Sequence, residues 1–159
     1  MNANLEMTRS NVMALYNKVL MALDFHSDNA EIIEKGKTVA ADNGADLYLI
    51  HVDEPIAVAY AADGFSFNDQ IVSLQSSIRK EAQQRMQQMG EELAVPIERQ
   101  LVKEGSPARE IHQAVEDLGI DLIVLGTHGQ KGLQLLLGST ATSVLHGVTC
   151  DVLTVRVKD

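Results

Sequence analysis

The residues best equipped for chemistry fall between positions 126 and 140. Gly126, Gly129, Gly132 and Gly138 come in quick succession, and Ser139 and Thr140 follow at once. The apolar run Ile123-Val124-Leu125 leads into the first of these glycines. Glycine tolerates positive φ and lets backbone N–H groups approach a ligand closely. Gly138-Ser139-Thr140 opens a stretch that reads as a helix. The first N–H groups of a helix lack intrahelical partners and carry partial positive charge. Strand, glycine loop and helix start together make a cradle for an anion, and phosphate is the usual one. The same glycines also suit a tight connection with no ligand at all.

A second candidate is Asp24, which closes the apolar run Lys18-Val19-Leu20-Met21-Ala22-Leu23. A run of this kind reads as a strand buried on both faces. Ligands of open α/β sheets sit beyond the carboxyl ends of the strands, where Asp24 falls. Ser27 and Asp28 can cap the following helix, which leaves Asp24 for ligand contact. The other phosphate motifs fail. A Walker loop needs Gly-Lys-Ser/Thr, but Lys131 is followed by Gly132; the Rossmann fingerprint belongs after the first strand, where Phe25-His26-Ser27 stands. Lys131 remains as a possible charge partner for phosphate or as a solvated loop charge.

Histidines offer less. His128, inside the loop, can orient a water molecule, but a hydrogen-bonded structural role is expected, and no catalytic residue is assigned. His51 lies in an apolar strand and reads as a satisfied core or rim histidine, with no second metal donor expected nearby. The single cysteine, Cys150, heads a β-branched run and reads as an inert buried thiol.

The elements that must position these groups follow from periodicity. Residues 1–17 read as a tail, with a short amphipathic helix over 7–15. Asn29 to Asn43 reads as a helix with Ala30, Ile33, Lys37 and Ala40 along one side. Ala45 to Val52 is a strand. Residues 53–67 break the rhythm and suggest a mobile connection, with Tyr60, Phe65 and Phe67 as staples to the body. Asn68 to Leu93 is the longest helical pattern, through Ile71, Leu74, Ile78, Ala82, Met86 and Met89. Ile97 to Lys103 alternates like an edge strand. Ser106 and Pro107 begin a helix with Ala108, Ile111, His112 and Val115 inward, ended by Gly119. Asp121 to Leu125 is a central strand, Ser139 to His146 a short helix, and Cys150 to Val157 a final strand. Five strands alternating with four helices imply a single open, doubly wound α/β sheet, all parallel.

Bulk properties narrow the function. The 159 residues suit one domain, and the net charge of −9 argues against nucleic acid and anionic membrane partners. No apolar stretch approaches the roughly 20 residues of a membrane span, and the polar N-terminus predicts no signal peptide, so a cytoplasmic location is expected.

Taken together, Val19-Leu20-Met21-Ala22-Leu23-Asp24, Leu49-Ile50-His51-Val52, Gly105-Ser106-Pro107 and Gly126-Thr127-His128-Gly129 with Gly138-Ser139-Thr140 resemble the universal stress protein family, A-type domain. The resemblance covers about residues 18–157. It implies a five-stranded parallel sheet of order 3-2-1-4-5, adenine nucleotide alpha-hydrolase-like, with the domain over 18–159. It also implies a homodimer joined through the last strand, residues 150–157, and protein partners that are unknown. One branch of the family binds ATP through Gly, two residues, Gly, nine residues, Gly and Ser or Thr. Here eight residues separate Gly129 from Gly138. One residue spans roughly 3.3–3.6 Å of extended chain, which a tighter turn at Gly132 absorbs or which displaces the phosphate contacts. By matching position, Asp24 and the Val52 backbone would meet adenine, and Ala22 would line its pocket. Leu125 would flank the nucleotide. Gly126 and Gly129 would border ribose and phosphates; Gly138, Ser139 and Thr140 would hold phosphate. The implied ligand is ATP, with or without magnesium, or another adenine nucleotide. The function expected is that of a regulatory or signalling dimer in the stress response. The alternatives are a nucleotide-free interaction module and a slow ATPase.

Overall fold

The computed structural model describes residues 13–55, 66–127 and 137–157, with the backbone alone at 66–68. Five parallel strands form one sheet in the order β3-β2-β1-β4-β5. They are β1 (Lys18–Ala22), β2 (Asp46–Asp53), β3 (Gln100–Glu104), β4 (Leu122–Gly126) and β5 (Asp151–Val155). The helices are α1 (Ala30–Asn43), α2 (Ser66–Leu93), α3 (Pro107–Leu118) and α4 (Ser139–Leu145). The expected sheet order is observed.

Alternation along the central strands builds two cores. Val19, Met21, Leu49, Leu122 and Val124 pack with Ile32 and Ala40 of α1 and Ala82 and Met86 of α2. Leu20, Ile50, Ile123 and Leu125 face the other way, against Ile111, Ala114 and Val115 of α3 and Ala141 and Val144 of α4. Successive strand side chains point to opposite faces, so β1 and β4 must be apolar at nearly every position. Full burial of each such side chain contributes roughly 1.5–3 kcal/mol.

The amino edge of the sheet is tied by one carboxylate. Asp121 accepts from the N–H groups of Asn17 (2.8 Å) and Lys18 (3.0 Å), and Tyr16 donates its hydroxyl to Asp151 at 3.0 Å. Asn43 accepts from Leu15 N–H at 2.9 Å. Residues 13–17 are therefore bonded to the body and hold no helix. The rest of the expected N-terminal helix lies outside the described residues, as do Tyr60 and Phe65; the Phe67 side chain is likewise outside them.

Three local expectations differ. Ile97–Arg99 is a 3-10 turn, not the start of an edge strand. Pro96 sets the turn, Arg99 N–H closes it on Pro96 O at 2.9 Å, and Arg99 pairs with Asp46 at 3.0 Å. In α1 the buried side runs through Ile32, Gly36 and Ala40, while Lys37 is exposed. A Cβ on Gly36 would fall 2.6 Å from Met21 Sδ, so glycine lets α1 lie close on β1. In α2 Leu74 is 54% exposed; the inward side passes instead through Ile71, Gln75, Ile78, Ala82 and Met86. Leu74 sits on the flank of that stripe, and Gln75 donates to Glu104 of β3 in its place.

Candidate functional site

The strand order reverses at β1, whose neighbours are β2 and β4. Val19, Leu20 and Met21 stand opposite Leu122, Ile123 and Val124. The same register continued brings Ala22 beside Leu125 and the segment after β1 beside Gly126. Ala22, Val52 and Leu125 all belong to the core on the α3/α4 side. Ala22 and Val52 are half-buried and Leu125 is buried, so these three form an apolar floor at the carboxyl edge.

Above that floor the loop from β1 to α1 is knotted around Asn29, which is 8% exposed. Its side chain accepts from Asp24 N–H (3.1 Å) and donates to Asp24 O (2.7 Å) and Ser27 O (3.1 Å). Asp24 Oδ1 accepts from His26 N–H at 3.0 Å, a tight Asx turn. Asp28 Oδ1 accepts from Ala30 N–H at 2.9 Å, the capping expected of it. Asp24 is therefore half-buried at the crevice rim and also braces its own loop. Asn29 was missed; buried amides carry no periodic signal.

The glycine segment is anchored at both described ends. Thr127 N–H donates to Val155 O at 2.9 Å, which carries the β4–β5 pairing past Gly126. Gly138 N–H donates to Thr127 O at 2.7 Å. The loop thus leaves and returns at one point, and α4 begins beside the end of β4. Thr142 N–H closes the first turn of α4 on Gly138 O at 2.9 Å, and the N-cap residue Gly138 has no side chain to cap that turn. Ser139 and Thr140 are exposed. His112 of α3 donates Nε2–H to Val144 O at 2.8 Å and fastens α4 to its neighbour. Gly126 has a second reason to be glycine: a Cβ there would meet Ile32 Cδ1 at 2.8 Å. Gly129, His128, Lys131 and Gly132 lie outside the described residues.

A further cluster stands on the α1/α2 side of the same edge. His51 is 4% exposed, and its Nδ1–H donates to Leu23 O at 2.8 Å. Its Nε2 faces Asp53 Oδ1 at 3.0 Å. Phe25 stacks on the His51 ring with centroids 4.2 Å apart, and the exposed His26 ring lies edge-on at 6.2 Å. The expectation that no second donor approaches His51 is overturned. Among the described residues His26, His51 and Asp53 bring one ligand atom each within 4.8 Å of one another. Positions 51 and 53 of one strand share a face, which is the sequence signal that was available; His26 arrives only through the loop fold.

Two hollows lie elsewhere on the described surface. One of about 480 Å³ lies between the end of α2 and Gln100, and one of about 380 Å³ lies beside Tyr16 and Asp151. Cys150, near the latter edge, is half-buried, and desolvation pushes its thiol pKa up, with Asp151 and Asp121 adding to the rise.

A parallel sheet that reverses order beside a converging loop is the architecture of doubly wound ligand-binding α/β proteins. The model of the universal stress protein family matches residues 15–156, and the chain belongs to that family. It is 41% identical over 145 residues to universal stress protein A homolog 2 of Coxiella burnetii, covering 90% of this chain and 97% of that one. Among solved structures, hypothetical protein MJ0577 superposes with a TM-score of 0.74 at 28% identity, covering 91% of this chain and 98% of that one. A universal stress protein in complex with cAMP shares the fold, with a TM-score of 0.51 at 22% identity over 88% of this chain and 96% of that one. No helix among the described residues is long and apolar enough to cross a membrane.

Proposed function

We propose that this protein is a stress-response regulator that binds ATP or a related adenine nucleotide in the crevice between β1 and β4. The observation that carries the reading is the 2.7 Å bond from Gly138 N–H to Thr127 O, which brings the start of α4 to the end of β4, the sheet neighbour of β1. In this reading the Asp24 carboxylate and the Val52 backbone meet the base over Ala22 and Leu125. Gly126 and Gly129 border the ribose and phosphates. The start of α4, with the exposed Ser139 and Thr140, receives phosphate. The family member in complex with cAMP makes adenine nucleotides the class to test first. The residues fit such a ligand, because the floor is apolar and the rim carries a carboxylate and exposed hydroxyls. In this reading the nucleotide acts as a signal.

The domain spans residues 18–159 and pairs with a second copy through residues 150–157, in the cytoplasm. β5 is an edge strand, paired only with β4, and an open edge invites a partner strand. Calorimetric titration with ATP and magnesium is the test. Saturable heat that is weakened in Asp24→Ala and Ser139→Ala supports the reading; no heat and no thermal shift at millimolar nucleotide ends it. Light scattering that reports a monomer at micromolar protein refutes the dimer.

A further inference from the structure

We propose that His26, His51 and Asp53 form a binding site for a divalent metal ion of the zinc class at the carboxyl ends of β1 and β2. Leu23 O can only accept, so His51 Nδ1 carries the hydrogen of their 2.8 Å bond. In a neutral ring Nε2 then presents its lone pair. That lone pair faces another acceptor, Asp53 Oδ1, at 3.0 Å. A lone pair and a carboxylate at 3.0 Å repel unless a proton lies on the line between them or a cation binds both from one side.

The surroundings favour the metal. An imidazole whose far N–H is held by a backbone carbonyl is the usual outer-shell arrangement of a metal-binding histidine, because the carbonyl fixes the tautomer and the ring direction. A proton bridge needs only His51 and Asp53, yet a third donor, His26, stands nearby, its ligand atom within 4.8 Å of the other two. Two imidazoles and one carboxylate suit zinc, and three protein ligands leave a fourth position for water or another ligand. Around a tetrahedral ion with bonds of about 2.0–2.1 Å, donor atoms sit about 3.3 Å apart. The His51–Asp53 pair is already near that spacing, and the exposed His26 ring must turn inward to complete the set, on a loop that Asp24 and Asn29 hold. The Phe25 ring shields one side of His51. Arg85 of α2 reaches the Phe25 carbonyl at 2.5 Å, but its charge is paired with Glu81 at 2.7 Å.

The experiment uses the full chain, stripped with chelator and free of nucleotide, so its result is separate from the reading above. Zn²⁺ alone is titrated by calorimetry, and Co²⁺ is titrated while visible absorption is recorded. One ion per chain is expected, with the intense cobalt bands of a four- or five-coordinate site. His26→Ala should lower affinity at least about tenfold, since loss of even an outer-shell partner costs 10–100-fold. Asp53→Asn should do the same with unchanged circular dichroism. If Asp53→Asn does not fold, the exposed His26→Ala decides alone. Absence of stoichiometric binding by the native chain, or unchanged binding by His26→Ala, overturns the proposal and leaves a proton between His51 and Asp53.

Discussion

Gly126 at the end of β4 lies directly under the tip of Ile32 from α1. A Cβ added to Gly126 would fall 2.8 Å from Ile32 Cδ1 and 3.2 Å from Val157 Cγ2. Ile32 is 4% exposed and has little room to retreat. Gly126→Ala should therefore destabilise the fold by about 1–3 kcal/mol, the usual cost of overpacking. Urea unfolding measures it, and an unchanged midpoint would show that Ile32 relocates freely.

Asn29 holds the loop that carries both Asp24 and His26. Asn29→Ala removes its bonds to Asp24 N–H, Asp24 O and Ser27 O from a buried position. Losing these bonds costs about 1–3 kcal/mol, Asp24 O still accepting from Ser27 N–H at 3.2 Å. Faster amide hydrogen exchange over residues 24–28 should accompany that loss. Exchange rates equal to those of the native chain would contradict the assigned role.

The end of α2 offers a stabilising change. Ala94 adopts φ 53°, a left-handed conformation that an L side chain occupies at a cost, while Val95 N–H reaches back to Gly90 O at 2.8 Å. Ala94 is exposed, so nothing packs on its methyl group from the core. Ala94→Gly should raise stability by about 0.5–1 kcal/mol, after allowing for glycine's larger entropy loss on folding. A lowered melting temperature would refute this.

Cys150 should be a slow nucleophile. Desolvation holds its pKa above the ordinary thiol value of 9.0, so the native chain keeps the neutral thiol at neutral pH. Alkylation by iodoacetamide should run several-fold slower in the native protein than in urea. A group raised in the fold contributes stability that is complete below its unfolded value and is lost as pH climbs through the raised one. Part of the alkaline fall in melting temperature should thus vanish in Cys150→Ser. Equal alkylation rates in the native and unfolded chains would disprove the shielding.

Much of this architecture was legible in the chain. Apolar runs at 18–23 and 121–125 announced strands buried on both faces, and Gly44 and Gly119 marked helix ends where both adopt left-handed φ. Alternation of five strands with four helices carried the parallel sheet, and resemblance carried its order. Periodicity was weaker where one residue decides the phase. Leu74 and Gln75 differ by one helical step; in the fold Gln75 is half-buried and bonds to Glu104, while Leu74 is exposed. At Ile97 an alternating pattern lost to Pro96, whose fixed φ favours a turn.

The residue types at each site were determined by the sequence alone: glycines with Ser139 and Thr140 in one stretch, Asp24 at a strand end, and His51 two places before Asp53. Their company was decided by the tertiary structure. Asp24 follows a strand that pairs with β4, though about a hundred residues separate the two in sequence. His26 meets His51 because Asn29 folds the loop back over β2. Local patterns record which face a residue prefers. Contact between distant segments follows from sheet pairing and loop closure, which depend on the whole chain at once.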